Sequence, residues 1–378
     1  MFCLLFFGLS GFVYANEPFV SSVTANDGEH TRAVEEKDQA QLIKTLQSGE
    51  SPDLRMRAAL DLERTSSEPQ VIRALLNAME GDHDEDVRSC AAFLLRVLKI
   101  HSEEVAAAFK RALKDAHSVR IQAAFGLVKI EDPKVTTSLL LNAMRRTDQH
   151  TIYGISHAIA DENEVDVEAI SKAFTDKDKY VRAGAAMTLR LCCREKNKAL
   201  VPQEELLKAL PLLEDRESIV RSEGAKTLAF VTGSRKRCVP SLIKALHDED
   251  TYVRGSAASS LGHFGAESVE AVDRLIELTS DKEAHVRESS CEALGRIKAE
   301  SNRVMPVLIN GLKDDHPFVK FRCAIAIDEM GFEAGEFFPS LLNAWKASKN
   351  TEQSILARVL YKIDPDLAGK SGVPKAKN

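Results

Sequence analysis

The sequence predicts an all-α fold in which about ten helix pairs stack into an elongated solenoid. The first observation is a fixed pitch, because the dipeptides Val253-Arg254, Val286-Arg287 and Val319-Lys320 recur every 33 residues. The second is that small and aliphatic residues follow each dipeptide at the spacing of one helix face. A unit of this length is too short to bury its apolar face alone, so it must stack on its neighbours.

Each unit is predicted to contain two helices joined by a polar turn. One stripe of the second helix is lined, in the clearest copy, by Val253, Ala257, Ala258 and Leu261. Small residues in this stripe let a neighbouring helix approach closely, and each buried Leu or Val contributes about 1.5–3 kcal/mol. The first helix carries an apolar stripe of its own, and acidic residues such as Asp248 and Asp250 fill the turn.

A basic residue marks the second helix of most units, and an acidic residue often stands four positions before it. Acids at that place favour the positive end of the helix dipole, and the four-residue lead permits an ion pair with the base. In the fourth unit Tyr153 replaces the base, and in the tenth Gln353 does. The predicted structural ladder consists of Asp53, Arg57, Asp84, Arg88, Arg120, Asp178, Arg182, Glu217, Arg221, Asp250, Arg254, Glu283, Arg287 and Lys320.

The order of Asp, Val-Arg, Ala-Ala and Leu-Gly resembles the HEAT repeats, in particular the short HEAT-like repeats of phycobilisome lyases. Residues 252–262 carry this pattern most completely, and the resemblance covers nearly the whole chain after its N-terminal leader. It implies a right-handed α-solenoid, an armadillo-like superhelix, with an Asp/Arg ladder along it. It also implies that the second helices line the concave side of the superhelix.

The chain divides into four predicted segments. Residues 1–15 combine a short apolar core with the small-x-small ending Val13-Tyr14-Ala15, which predicts a signal peptide. The protein is therefore expected to be exported, either to the periplasm or as a secreted protein. That core is shorter than the ~20 apolar residues of a membrane span, so no membrane insertion is expected after cleavage. Residues 16–36 are predicted to be a flexible acidic linker, 37–365 the solenoid and 366–378 a disordered tail.

The charge balance bears on the class of partner. With a formal net charge of −6, the protein has no overall attraction for phosphate backbones or anionic lipid. We therefore expect neither a nucleic-acid partner nor a membrane partner. The expected partner is a protein or peptide, and the solenoid itself is expected to be a monomer.

Apolar side chains on the second helices of the early units form the predicted partner-binding surface. An exposed apolar stripe is typical of a protein or peptide site. Contact between successive second helices is a plainer interpretation of the same residues. The polar ring at position 157 indicates either a local ligand pocket, a bend, or a drifted repeat with a hydrogen-bonded His. The candidate residues are Phe93, Phe125, Met187, Ile121, Tyr153 and His157.

No pattern in the sequence predicts a catalytic site, a cofactor or a metal ion. Several histidines fall in or beside the predicted turns, where ordinary solvated side chains are favoured over metal ligands. The deoxyhypusine hydroxylases, a HEAT-repeat enzyme family, rely on His-Glu dipeptides for their iron pair, and no His here is followed by Glu. The turn histidines are His83, His117, His150, His285 and His316.

The cysteines after the leader are predicted to be mainly buried thiols. Cys291 and Cys323 stand where sister repeats place small core residues, and none of the spacings forms a Cys-x-x-Cys motif. A disulfide from Cys238 to Cys192 or Cys193 is the pairing most worth testing.

We therefore predict a non-enzymatic scaffold that binds a protein or peptide on its concave face. One alternative is a phycobilin-lyase-like protein that handles a chromophore, against which the leader argues. A less favoured alternative is a HEAT-like nucleic-acid repair enzyme, which the acidic charge balance opposes. A bound chromophore would indicate the first alternative, and salt-sensitive DNA binding the second.

Overall fold

A computed structural model describes residues 30–63, 68–162, 164–194, 201–298, 301–330 and 335–375. Over these ranges the regular structure is helical and contains no strand, which confirms the predicted all-α class. The α-helices are α1 (His30–Ser48), α2 (Pro52–Leu62), α3 (Pro69–Gly81), α4 (Glu85–Val97), α5 (Glu103–Ala112), α6 (His117–Leu127), α7 (Pro133–Ala143), α8 (Gln149–Ala160), α9 (Val167–Lys172), α10 (Lys179–Arg194), α11 (Gln203–Leu207), α12 (Ser218–Leu228), α13 (Arg235–Ala245), α14 (Thr251–Phe264), α15 (Val272–Leu278), α16 (Ala284–Ile297), α17 (Ser301–Gly311), α18 (Pro317–Met330), α19 (Phe338–Ala347), α20 (Asn350–Ile363) and α21 (Pro365–Lys370).

These helices form ten consecutive pairs, from α1 with α2 to α19 with α20, followed by α21. Each second helix packs against the second helices of the units before and after it, so that α14, α16 and α18 lie side by side. The first helices form a second layer. The predicted solenoid of about ten helix pairs is therefore confirmed.

One apolar core runs along the whole stack. The predicted stripe is its centre, because Val253, Val286 and Val319 and the residues eight positions after them are almost completely buried. Gly262 and Gly295 bring successive second helices together, since a Cβ at either position would lie within 2.8 Å of the next helix's backbone. Glycine is required at these two positions because the backbones of successive second helices are in direct contact.

Side-chain caps and prolines define where many helices begin. Ser51 accepts a hydrogen bond from the backbone N–H of Leu54 at the start of α2, and Asp250 caps α14 in the same way. Pro69 and Pro133 occupy the first turns of α3 and α7, where a missing N–H costs nothing. These signals fix the short turns between the paired helices.

The N-terminal boundary differs from the prediction. Helix α1 begins at His30, inside the segment 16–36 that was expected to be a linker. The sequence there is polar but rich in helix formers such as Arg32, Ala33 and Glu35, and polarity alone does not oppose a helix. The predicted signal peptide 1–15 and the first part of the predicted linker lie outside the described residues.

The prediction of a disordered tail over 366–378 is wrong as far as residue 375. The Asp364-Pro365 dipeptide begins a further helix, since Asp364 accepts a hydrogen bond from the N–H of Leu367 at 2.8 Å. Tyr361 donates its hydroxyl to the carbonyl oxygen of Val373 at 2.9 Å, and the Val373 side chain is buried. The tail therefore packs onto the last helix pair.

None of the helices within the described ranges combines the length and the apolar character that crossing a bilayer requires.

Candidate protein-binding surface

The edge of the stack where the paired helices turn carries a series of Arg–Asp pairs. Nε and Nη2 of Arg254 donate to the two carboxylate oxygens of Asp281 at 2.9 and 3.0 Å. Nη1 of Arg254 donates to the carbonyl oxygen of Asp248, in the turn of its own unit, at 2.9 Å. The Asp281 carboxylate also accepts the backbone N–H of Glu283 at 2.9 Å. One arginine thus joins two consecutive turns.

This arrangement recurs along the stack, and we refer to it as the Arg–Asp ladder. Each aspartate accepts two hydrogen bonds from the arginine of the preceding unit. Its carbonyl oxygen also accepts one from the arginine of its own unit, except at Asp314, whose unit carries Lys320 instead. Such bidentate pairs are among the stronger hydrogen bonds in proteins. The other two-bond pairs of this kind are Arg55–Asp82, Arg88–Asp115, Arg182–Asp215, Arg221–Asp248 and Arg287–Asp314.

The predicted pairing of each arginine with the acid four positions before it is therefore wrong. The aspartates at the helix starts bond the backbone instead, because Asp84 accepts the N–H groups of Asp86 and Val87. Asp178 accepts the N–H of Tyr180 in the same way. A helix N-terminus holds unpaired N–H groups close to the acid, whereas the arginine already bonds the next turn.

The assignment in the first unit is shifted by two residues. Arg55 forms the ladder pair with Asp82, while Arg57 and Asp53 are exposed. Arg55 lies 33 residues before Arg88, so the pitch of the regular units already holds at this end. At the other end Lys320 forms no ion pair with the described residues.

The ladder changes its donor in the fourth unit. Arg120 donates to the carbonyl oxygens of Asp115 and Ala143, at 3.0 and 3.2 Å, instead of to a carboxylate. Tyr153 stands at the next basic position and cannot continue the series. Arg145, from the turn of the same unit, supplies the missing guanidinium and bonds both oxygens of Asp176 at 2.6 and 2.5 Å.

The ladder aspartates are held in their charged form. Burial alone would raise the pKa of Asp281, but the hydrogen bonds from Arg254 and from the Glu283 N–H outweigh it, and the pKa lies below its usual value. For Asp314 the hydrogen bond from Arg287 is the largest influence, and it also lowers the pKa. The pKa is lowered likewise for Asp82, Asp115, Asp176, Asp215 and Asp248.

A row of aromatic side chains lies beside the ladder in the later units. Each member stands immediately before the buried Val of a second helix, and we call this set, Tyr180, Tyr252, His285 and Phe318, the aromatic row. Tyr252 and Phe318 are 68% and 61% exposed. The Tyr252 ring stacks on His285 of the next unit, with ring centroids 5.0 Å apart. Sequence reasoning missed this row, although its pitch equals that of the Val-Arg dipeptide.

Two of the predicted binding residues, Phe93 and Phe125, lie close together on successive second helices. Both are half-buried, and the Arg96 guanidinium lies over both rings, 5.1 and 5.4 Å from their centroids. The cluster presents an apolar surface with one positive charge. Met187, by contrast, is 3% exposed and belongs to the core, so its assignment to the partner surface is wrong.

The remaining predicted residues lie on α6 and α8. Tyr153 is 48% exposed, and its ring centroid is 4.4 Å from that of the half-buried His157. Ile121 packs against the backbone of Gly154, where a Cβ would lie 2.7 Å from its side chain. Ile121 therefore packs on α8, the helix that carries Tyr153 and His157.

The second helix of the eighth unit carries Glu292 at the repeat position that Phe93 and Phe125 occupy in the second and third units. Arg322 contacts Glu288 at 3.0 Å and Glu292 at 3.5 Å, and Arg296 contacts Glu292 at 2.6 Å. This surface is therefore polar and largely neutralised. The equivalent residue of the ninth unit is the apolar Ile325.

In the part of the chain that the structure describes, no three His, Cys, Asp or Glu side chains converge as a metal site would require. His117 and His150 form an edge-to-face ring pair with centroids 5.9 Å apart. Cys238, Cys291 and Cys323 are buried free thiols, and burial raises the pKa of Cys238 to about 11. The sulfur atoms of Cys291 and Cys323 lie 3.0 Å apart.

These features match a known repeat family. The sequence model of HEAT repeats matches residues 40–127 and 239–328. Both of these regions of the chain consist of HEAT repeats. The match is to HEAT repeats in general, so the particular likeness to phycobilisome lyases stays a prediction. No curated protein sequence matches the chain significantly.

Solved structures with a similar fold include two karyopherins. Kap121p, bound to the extreme C-terminus of the protein phosphatase Cdc14p, has 15% identity and a TM-score of 0.50, over 87% of this chain and 42% of Kap121p. Kap95p, in a study of its binding to RanGDP, has 15% identity and a TM-score of 0.56, over 88% of this chain and 53% of Kap95p. The chain thus spans about half or less of these proteins, and identities this low show the fold alone.

Proposed function

We propose that this HEAT-repeat protein is a non-enzymatic scaffold that binds a protein partner along its second helices. The observation that carries the proposal is the aromatic row, which exposes two large rings at the same position of different units. Exposed aromatic side chains are enriched in protein interfaces, and they lose little conformational entropy on binding. A stack of units presents them at a regular spacing.

The early units support the same function with a second surface. Phe93, Arg96 and Phe125 form a cluster of two aromatic rings and one guanidinium, the residue types that dominate binding energy in interfaces. Tyr153 extends the exposed apolar surface to the fourth unit. Two separated contact regions on one solenoid favour an extended partner over a small ligand. The karyopherins of similar fold are described with protein partners, which agrees with this class.

The experiment uses the full chain, affinity-purified from its native cells with the partner identified by mass spectrometry. The double variant Tyr252→Ala and Phe318→Ala removes the exposed rings without touching the core. We expect it to reduce the co-purified partner at least tenfold, because exposed aromatic anchors contribute about 2 kcal/mol each. The control is Val269→Ala, which trims an apolar side chain of 52% exposure outside the row.

Equal recovery of the partner by the double variant and by the Val269→Ala control would contradict the role of the aromatic row. The variant Phe93→Ala with Phe125→Ala then tests the early surface separately. If neither variant affects recovery and the circular dichroism is unchanged, the second helices are not the binding surface.

We also propose that the protein is exported, on the basis of the apolar leader at residues 1–15 and its Val13-Tyr14-Ala15 ending. Mass spectrometry of the native protein is expected to find Asn16 at the mature N-terminus. Recovery of Met1 on the mature chain would overturn this proposal.

A further inference from the structure

The Arg–Asp ladder ends at Asp314, one unit before the last helix pair. In the seventh and eighth units the arginine meets an aspartate 27 residues later, as Arg254 meets Asp281. The corresponding base of the ninth unit is Lys320, and the residue 27 positions later is Ala347. The last junction therefore has a base and no acid from the next turn.

A cavity of about 590 Å³ lies at this junction, between α17, α18, α19 and α20. Lys313, Lys320 and Lys349 line it, against one carboxylate from Glu352. Its other polar lining groups, Ser340, Asn343 and Ser348, can donate or accept hydrogen bonds. The lining therefore carries an excess of positive charge, in a protein whose net charge is negative.

We propose that this cavity binds a carboxylate side chain from an acidic segment of a partner protein. The inference deepens the scaffold function proposed above and rests on it. At the seventh and eighth junctions the carboxylate of Asp281 or Asp314 neutralises the base, and at the ninth the partner supplies this group. Ammonium groups on flexible stems suit a carboxylate whose position is set by another chain.

The same lining disfavours a phosphate group. A phosphorylated side chain carries about −1.5 to −2 charges at pH 7, and Glu352 would repel it more strongly than it repels a single carboxylate.

The volume of the cavity is far larger than one carboxylate needs. It leaves space for the backbone of an extended peptide, which Asn343 and Ser348 can hydrogen-bond.

The single tryptophan of the chain allows a direct measurement. Trp345 lies on α19, whose neighbouring residues Asn343 and Ala344 line the cavity. The probe is a short blocked peptide with three consecutive glutamates, titrated into the full-length protein while Trp345 fluorescence is recorded. Saturable binding that weakens with salt is expected, whereas the matched glutamine peptide should not bind.

Two lysine variants locate the site. Lys320→Gln and Lys349→Gln are each expected to weaken binding of the glutamate peptide about 3- to 10-fold, because each removes one partly screened ion pair. The matched control is Lys282→Gln, an exposed lysine in the turn of the eighth unit, which should bind as the parent protein does. Unchanged circular dichroism excludes misfolding as the cause.

Three results would overturn the carboxylate site. These are no saturable binding of the glutamate peptide, equal binding by the double variant Lys320→Gln and Lys349→Gln, or equally strong binding of inorganic phosphate. The outcome is separable from that of the proposed scaffold function. If the Tyr252 and Phe318 variants lose the native partner while the glutamate peptide does not bind, the scaffold function stands without this site.

Cys291 and Cys323 contact each other across two consecutive second helices. Their sulfur atoms are 3.0 Å apart, about 1 Å beyond a bonded disulfide, and both side chains are buried between α16 and α18. We infer that these residues form a disulfide when the protein folds in the presence of a small-molecule disulfide such as oxidised glutathione. Each thiol gives up one proton and one electron, and two molecules of reduced glutathione are released.

The environment of the two thiols determines when the disulfide can form. The contact with Cys291 and burial raise the pKa of Cys323, so thiolate attack is slow once the units have packed. We therefore expect oxidation during folding rather than after it. This cross-link would join the second helices of two consecutive units.

The test is refolding from denaturant in a glutathione buffer, followed by alkylation under denaturing conditions and peptide mass spectrometry. We expect a cross-linked peptide containing Cys291 and Cys323, which the Cys323→Ser variant abolishes. Complete alkylation of both cysteines in refolded protein with native circular dichroism would overturn the inference.

Discussion

Arg254 and Asp281 form two parallel hydrogen bonds across the junction of consecutive HEAT units, although 27 residues separate them in sequence. Their side chains are only 9% and 8% exposed, so solvent screens the pair little. Because Arg254 also bonds the carbonyl oxygen of Asp248, one side chain fixes two turns relative to each other. The ladder therefore adds an orienting contact to the apolar packing between consecutive units.

Removing one partner of this pair should destabilise the stack. Arg254→Met is expected to lower the free energy of unfolding by about 2–4 kcal/mol, because it leaves the Asp281 carboxylate buried and uncompensated. The matched control is Arg111→Met, which breaks an exposed pair with Glu80 and should cost less than about 1 kcal/mol. Urea denaturation followed by circular dichroism measures both, and equal losses would refute the role of the ladder.

The ladder also predicts an acid-sensitive stability. The pKa of Asp281 is lower in the folded protein than in the unfolded chain, as it is for the other ladder aspartates. Their contribution is thus present above about pH 4, the ordinary value for Asp, and it is lost as the pH falls through the lowered pKa. The urea midpoint should fall between about pH 5 and pH 2 at constant ionic strength.

A variant comparison tests that cause. Asp281→Asn should weaken the protein at pH 7 and show a smaller further loss at low pH than the parent protein. Asp366→Asn, at an exposed position of α21, should leave the pH dependence unchanged. A parallel loss in all three proteins would show that other groups govern the acid transition.

The architecture was predictable because one physical pattern repeats. Val253 and its counterparts recur at a fixed pitch with small residues one turn later, and amphipathic pairs of that length can only stack. The two ends were less predictable, since no neighbouring repeat constrains the pattern there. The sequence predicts that helical structure ends at Pro365, whereas Pro365 begins α21.

The candidate surface was predictable only in part. Phe93 and Phe125 are half-buried neighbours under Arg96, but Met187 at the corresponding position lies in the core. Spacing along one helix cannot distinguish a half-buried residue from a fully buried one at this position, because the packing of the next helix determines which side chains are covered. The partner of Arg254 was also misassigned. A contact 27 residues away was overlooked in favour of one four residues away.

Close packing of the second helices predicts a large effect for one methyl group. In Gly295→Ala the new Cβ would lie 2.5 Å from the Cα of Ala326, so backbone must move and the free energy of unfolding should fall by about 1–3 kcal/mol. Gly81→Ala is the matched control, since nothing lies within 4 Å of a Cβ there. Because alanine favours the helical state, that variant should be neutral or slightly more stable. Thermal unfolding measures both, and a neutral Gly295→Ala would contradict the packing described.

Substitution of the acids at the helix starts tests whether they stabilise the protein by capping the helices. Asp250 accepts the N–H groups of Tyr252 and Val253 at 2.8 and 3.2 Å, whereas the side chain of Glu283, at the same position of the next unit, accepts no cap hydrogen bond. Asp250→Ala is therefore expected to lower the free energy of urea unfolding by about 1 kcal/mol, and Glu283→Ala by less than about 0.5 kcal/mol. If these acids instead stabilised the arginines four residues later, the two variants would lose similar amounts of stability.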